Sequence, residues 1–335
     1  MRAVFILILV MFSNSLPAVE WEERKIFKGA LAKHTLRVIS STDISVFTPI
    51  IEQFLVQNPS VSIEYLVAGS TDIDDVFRQS PDQFDVVISS AMDLQLKLVN
   101  DGYAQQIDDL PYPSWAQWRQ SLFGFTLEPA AIVVNKEAFR SLPVPSSRQA
   151  LIEIMREHAA TFNGKIGTYD VRQSGLGYLF ATQDARRSET YWRLMEIMGS
   201  LDTRLYCCSG AMLEDVSNGT IAIAYNVLGS YAMDRKDIAD KIEIILPSEF
   251  PTTMMRTAFV SRRAPELKRA SAFVQYLASF KWNATAGVEV SLPTIQSAPP
   301  GLQSSVIALE PGLMTFLDRM KRRLFIKEWE SAIIQ

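Results

Sequence analysis

Strand and helix patterns alternate three times between residues 36 and 102, and this alternation restricts the possible fold more than any other feature of the chain. Apolar runs typical of buried strands cover Leu36–Ser40, Val61–Val67 and Phe84–Ser89. Each is followed by apolar residues at helical spacing, in residues 47–55, 71–79 and 91–100. Because consecutive parallel strands need a crossover connection such as a helix, this order predicts an open α/β sheet.

A second set of the same patterns follows the Pro- and Trp-rich segment 111–118. Strand-like runs occur at residues 123–135, 164–169 and 220–225, with helical patterns between them. One more strand is predicted at Lys241–Pro247 and a long final helix at Gly312–Ile334. A chain of 335 residues usually divides into two compact units. We therefore predict two α/β lobes, with residues 19–126 and 244–335 in lobe one and 127–243 in lobe two.

Hydroxyl side chains follow the first three predicted strands at the points where helices begin. Ligands of open α/β sheets bind at the carboxyl ends of the strands, and a helix N-terminus adds unpaired N–H groups and partial positive charge. An arginine there can grip a phosphate or carboxylate with two hydrogen bonds. The sequence therefore predicts an anion site without metal, formed by Ser41, Thr42, Ser70, Thr71, Ser89, Ser90, Arg172, Ser174, Gly175, Tyr225, Asn226 and Tyr231.

Each candidate also has a purely structural interpretation. A serine or threonine before a helix is often only its N-cap. Arg172 can pair with a surface carboxylate, and Tyr225 can belong to the core. The functional interpretation depends on the coincidence of such residues at successive strand ends.

Composition and motifs exclude several classes of function. A net charge of −4 argues against nucleic acid as a partner, and two Cys and two His argue against zinc or iron–sulfur sites. The sequence contains no nucleophile-elbow, P-loop or dinucleotide-binding glycine pattern. We expect no metal, no cofactor and no enzymatic activity.

The N-terminus has the three parts of a secretory signal peptide. Arg2 precedes the apolar run Ala3–Phe12, and small or polar residues with Pro17 follow it. We expect residues 1–18 to be removed on export to the periplasm, the alternative being a buried N-terminal helix. In such an oxidising compartment the adjacent Cys207 and Cys208 can close a vicinal disulfide, a strained ring that is easily reduced. The pair is then either structural, as two buried thiols or a local ring, or has a redox role.

The order of these segments resembles periplasmic solute-binding proteins of ABC transporters, in particular their iron(III)-type subgroup, family 1. The resemblance runs from Leu36 to the C-terminus through RVISSTD, YLVAGSTDIDDVF, FDVVISSAMDLQLKLVNDGY, GKIGTYDVRQSGLGYLF, NGTIAIAYNVLGSYA and KRRLFIKEW. It implies a type II periplasmic-binding-protein-like fold, with a double-crossover hinge near residues 130–135 and 242–247.

The resemblance also implies a function and partners. It implies a monomer that closes on a small anionic solute, such as an organophosphate, sugar phosphate or carboxylate, and passes it to an ABC permease. Regulatory proteins of phosphoglycerate transport in this subgroup are similar in length and layout, so a membrane histidine kinase is the alternative partner. Iron-binding members use tandem tyrosines, whereas five residues separate Tyr225 from Tyr231 here. This departure makes iron(III) the less favoured ligand.

Overall fold

The computed structural model describes residues 21–279, 290, 292–296 and 305–334. The predicted signal peptide, residues 1–18, lies outside these ranges. The strands are β1 (Glu23–Phe27), β2 (His34–Ser40), β3 (Val61–Val67), β4 (Val86–Ser89), β5 (Ala104–Gln105), β6 (Gln117–Trp118), β7 (Leu122–Gly124), β8 (Glu128–Asn135), β9 (Ile166–Tyr169), β10 (Arg204–Tyr206), β11 (Ile223–Leu228), β12 (Ile242–Ile245), β13 (Thr253–Met254) and β14 (Thr257–Ser261).

Most helices follow directly on a strand, as the alternating sequence pattern predicts. They are α1 (Ile44–Gln57), α2 (Ser70–Gln79), α3 (Met92–Asn100), α4 (Arg148–Glu157), α5 (Ala159–Phe162), α6 (Gly175–Arg187), α7 (Thr190–Ser200), α8 (Ser209–Ser217), α9 (Gly229–Asp234), α10 (Leu267–Ala278) and α11 (Arg319–Ile333). Among the described residues, no helix has both the length and the hydrophobicity needed to cross a bilayer.

The first sheet has the strand order β1-β3-β2-β4-β14-β7-β6, with β5 paired to β14. Its centre is parallel, since β2 pairs with both β3 and β4 in that sense. Strands β1 and β14 lie outside the three strands that the sequence predicts to be parallel, and they pair in the other sense: β1 is antiparallel to β3, and β14 is antiparallel to β4. Strand β14 can pair in this way because it returns from the other half of the molecule rather than through a crossover helix.

The second sheet has the order β10-β9-β11-β8-β12, with β13 paired to β8. The chain enters it through residues 125–127 and leaves it through residues 255–256, between β13 and β14. Two sheets, each with its helices, joined by paired crossover segments confirm the predicted fold class of two α/β lobes. The return lies later than the predicted position near Ile242–Pro247, because β12 still pairs with β8.

The last helix is shorter than predicted and packs with the second sheet. The segment Pro311–Leu317 is a 3-10 helix, and α11 begins only after Asp318, whose carboxylate accepts the backbone N–H groups of Met320 and Lys321. Phe325 and Trp329 of α11 are buried in the core that surrounds α7 and the second sheet. The division predicted from the sequence groups residues 244–335 with lobe one, whereas the structure places α11 on the other lobe.

Candidate functional site

A cavity of about 260 Å³ lies between the two sheets, at the ends of strands where helices begin. It is smaller than the roughly 300–1,000 Å³ typical of pockets for drug-sized ligands. The junctions β2–α1, β3–α2 and β4–α3 supply one wall, and β9–α6, β10–α8 and β11–α9 supply the other. The strand-end position predicted from the sequence is therefore where the cavity lies.

The wall from the first sheet carries three of the predicted serines. Ser41 and Ser90 face each other with 3.3 Å between their Oγ atoms, and the Ser90 N–H donates to Ser41 Oγ at 3.1 Å. Ser70 begins α2, and its Oγ accepts the backbone N–H of Leu176 from the opposite wall at 3.2 Å. A serine oxygen that accepts a bond still has its own O–H to donate, so this wall can supply donors to a solute.

The wall from the second sheet adds more hydroxyl groups. Ser174 is the N-cap of α6, since its Oγ accepts the Gly177 N–H at 3.1 Å. Ser209 begins α8, and its Oγ lies 2.5 Å from the buried Tyr169 hydroxyl. Among the predicted site residues, the structure brings into the cavity lining Ser41, Ser70, Ser90, Ser174 and Tyr231.

The two walls touch each other at the edge of the cavity. Thr71 Oγ1 donates to the Gln173 carbonyl at 2.9 Å, across the gap between α2 and the loop before α6. A methyl group at Gly175 would lie 3.1 Å from Ser70 Oγ, so the small residue permits this approach. Thr71 and Gly175, two residues of the predicted anion site, lie where the walls meet and outside the cavity lining.

Three carboxylates also line the cavity, all of them from the first-sheet side: Glu22, Asp43 and Asp72. Burial, followed by repulsion from Asp72 and Asp43, raises the pKa of Glu22. Burial, followed by repulsion from Glu23, raises the pKa of Asp43. The described lining contains no Lys, Arg or His, so protonation of Glu22 and Asp43, whose pKa values are raised, is the means by which the lining can reduce its negative charge.

A buried ion pair lies at the crossover between the sheets. Arg256 Nε and Nη2 donate to the two carboxylate oxygens of Glu128 at 3.0 and 2.9 Å, and the side chains are 1% and 0% exposed. Arg256 also donates to Thr42 Oγ1 and lies under the ring of Tyr231, 5.9 Å from its centroid. Thr42, expected as a ligand-binding residue, therefore bonds to Arg256 at the crossover beside the cavity.

Arg172 does not reach the cavity. Its guanidinium forms two hydrogen bonds to Asp170, at 2.8 and 2.7 Å, and a longer contact to Glu330 of α11 at 3.4 Å. The side chain is 37% exposed. Asp170, two residues earlier in the same loop, holds Arg172 on the surface. The position of Arg172 therefore matches its structural interpretation, in which it pairs with a carboxylate.

Tyr225 and Asn226 belong to a second buried polar network. The Tyr225 hydroxyl accepts from Arg148 Nε at 2.8 Å and donates to Asp184 at 2.9 Å. Asn226 Nδ2 donates to the same carboxylate at 3.1 Å. These residues satisfy one another inside the second lobe and do not line the cavity. Ser89 is also buried outside the lining, where its Oγ accepts the Ala91 N–H at 3.1 Å.

The sequence reasoning missed part of the cavity wall. Glu22 precedes the first predicted strand, and Asp72 lies two residues after Ser70 of the predicted site. Cys207, Cys208 and Ser209 follow β10, a strand of three residues that is too short for a periodicity signal. Their position between a short apolar stretch and a predicted helix was the sequence feature that could have placed them in the cavity wall.

Comparison with solved structures identifies the family. A crystal structure of the substrate binding protein of an ABC transporter from Agrobacterium tumefaciens is similar, with TM-score 0.87 and 31% identity over 93% of this chain and 98% of that one. The chain belongs to the substrate-binding proteins of ABC transporters. Proteins of this family bind solutes rather than convert them. No protein-family model and no curated protein matches this chain.

Two more distant structures of this fold carry named ligands. The periplasmic binding protein AfuA from Actinobacillus pleuropneumoniae, with fructose-6-phosphate bound, has TM-score 0.73 and 16% identity over 90% of this chain and 99% of its own. Iron-bound HitA from Pseudomonas aeruginosa has TM-score 0.67 and 13% identity over the same shares. Both are similar in fold to this substrate-binding protein.

Proposed function

We propose that this substrate-binding protein captures a small hydroxylated anion, such as a sugar phosphate, between its two lobes. The observation that carries the proposal is the meeting of serine hydroxyls and helix starts from both sheets around one cavity. Ser41, Ser70 and Ser90 lie on one wall and Ser174 and Ser209 on the other. Hydroxyl donors and helix N-termini both favour an anionic group.

The carboxylates of the wall refine this class of solute. Carboxylate oxygens accept hydrogen bonds from hydroxyl groups, so Glu22, Asp43 and Asp72 suit the hydroxylated body of a sugar better than bare phosphate. An anionic group near Glu22 and Asp43 favours the protonated form of each, because the proton removes a repulsion. AfuA, a protein of the same fold, has fructose-6-phosphate bound, which supports a solute of this kind.

We further infer that the role is uptake from the periplasm, by delivery from a monomer to an ABC permease. The Agrobacterium tumefaciens relative belongs to an ABC transporter, which favours uptake over signalling to a histidine kinase in the manner of phosphoglycerate regulators. Iron(III) is disfavoured because the Tyr225 phenol is held by Arg148 and Asp184, away from the cavity. Within the described residues, no three His, Cys, Asp or Glu are placed to hold a metal ion.

Thermal shift and calorimetry against fructose 6-phosphate, fructose, inorganic phosphate and spermidine test the class of solute. We expect the sugar phosphate to raise Tm most, and its affinity to increase as pH falls towards the raised pKa values of Glu22 and Asp43. Stabilisation by spermidine and by no anion would refute the proposal.

A matched pair of variants tests the site. Ser174→Ala and Ser147→Ala each remove an N-cap whose Oγ accepts a backbone N–H, at a cost of about 1 kcal/mol of stability. Ser147 begins α4, outside the cavity lining. Only Ser174→Ala should weaken binding of fructose 6-phosphate. Equal effects of the two variants on affinity would remove Ser174 from the site.

A further inference from the structure

Cys207 and Cys208 lie side by side in the wall of the cavity, at the end of β10. Both residues are exposed and both line the cavity, and their Sγ atoms are 2.9 Å apart. Cys208 is the N-cap of α8, with extended backbone, so the pair occupies the turn from strand to helix. Two accessible thiols in contact are placed to react with each other.

We propose that Cys207 and Cys208 form a redox site that alternates between a dithiol and a vicinal disulfide. In oxidation the two S–H bonds break and one S–S bond forms. The two protons and two electrons pass to the disulfide of a thiol–disulfide oxidoreductase or a small disulfide, which becomes two thiols. Reduction by a dithiol reverses each step through a mixed disulfide.

The geometry of adjacent residues makes this disulfide reversible. Consecutive Cα atoms across a trans peptide are about 3.8 Å apart, and the described chain contains no cis peptide. Ordinary disulfides span Cα separations of roughly 4.4–6.8 Å, and deviation from that range makes the bond easier to reduce.

Closing the ring also changes the cavity. Asp43 and Tyr231 share this lining with the two cysteines. Oxidation removes two S–H donors and stiffens the turn before α8. Solute affinity therefore depends on the redox state, a consequence that rests on the proposed function.

Mass spectrometry of the purified protein tests the disulfide without any solute. The protein is treated with oxidised glutathione, blocked with N-ethylmaleimide and digested with trypsin, which releases residues 205–235 as one peptide. We expect this peptide to be two hydrogen atoms lighter than the reduced form and unlabelled, and to take two labels after dithiothreitol. Labelling of both thiols in the oxidised sample, or a disulfide between two chains, would overturn the proposal.

Two further measurements complete the test. Phenylarsine oxide, which bridges neighbouring thiols, should add once to the reduced protein and not to the oxidised protein, C207S or C208S; no adduct on the reduced protein would contradict the site. Calorimetry with fructose 6-phosphate should give a Kd that differs several-fold between the two redox states, and equal Kd values would contradict the effect on the cavity. If fructose 6-phosphate binds neither form, the proposed solute is wrong, and the mass measurement still decides the redox site.

Discussion

Substitution of Glu128 by glutamine should destabilise the protein strongly. The substitution preserves the shape of the side chain but leaves Arg256 as an uncompensated charge, and both side chains are at most 1% exposed. Removing one partner of a buried pair of this kind costs about 3–5 kcal/mol. The estimate applies here because Glu128 accepts both guanidinium bonds and further bonds from Thr126 and Ser230. With an unfolding entropy of about 2 cal/mol/K per residue, a chain of this length loses about 1.5 °C of Tm per kcal/mol, so the expected fall in Tm is roughly 4–8 °C.

Differential scanning calorimetry of three variants measures this cost. Glu137→Gln is the matched control, since Glu137 and its partner Arg140 are 70% and 77% exposed and such pairs contribute about 0–1 kcal/mol. The double variant E128Q/R256Q leaves no buried charge and should lose less stability than E128Q alone. If Glu128→Gln lowers Tm no more than Glu137→Gln does, the stability of the protein does not depend on compensation of the Arg256 charge and our reasoning is wrong.

Three other substitutions have defined outcomes. Burial raises the pKa of Asp93 from 3.8 to about 7. The contribution of Asp93 to stability is therefore complete below pH 3.8 and is lost as pH rises towards 7. Asp93→Asn should be more stable than the parent at pH 8, by roughly 2–4 kcal/mol, and equal to it near pH 4. Parallel profiles of Tm against pH would contradict this. Arg172→Ala should leave the Kd for fructose 6-phosphate essentially unchanged in calorimetry, because Arg172 is held by Asp170 outside the cavity; a marked loss of affinity would return it to the site. Gly199→Ala should lower the free energy of unfolding by about 1–3 kcal/mol, because the added methyl group would lie 2.1 Å from a backbone oxygen of α11. Gly210→Ala serves as the control, since a methyl group there would have no atom within 4 Å.

The central part of the fold was predictable because local patterns determine it. The apolar runs that predict strands became β2, β3 and β4, and the helices between them hold the predicted positions. Pro49 is an exception. A proline is favoured in the first turn of a helix, where no N–H bond is lost, whereas α1 begins at Ile44 and includes Pro49 in its interior. The residue before it, Thr48, donates from Oγ1 to the Ile44 carbonyl at 2.7 Å.

The parts that were not predictable depend on partners far along the chain. Nothing near Arg256 in the sequence identifies Glu128 as its partner, 128 residues away. Arg172 illustrates the opposite error, because its position in a loop before a helix suggested an anion site while a carboxylate two residues away binds it. Serines at helix starts were easier to place, since the alternation of strands and helices determines at which edge of the sheet they lie.

The packing of α11 on the second sheet determines how relative motion of the two halves can be recorded. The chain passes from one half to the other at 125–127 and at 255–256. It passes a third time after the segment 311–317, which contacts α3, to reach α11. A fluorophore on Met320, 80% exposed on α11, therefore moves with α7, and one on Val56, 81% exposed on α1, moves with β1 and β3 of the first sheet. Energy transfer between these two positions would report the angle between the halves, and it would do so from outside the cavity.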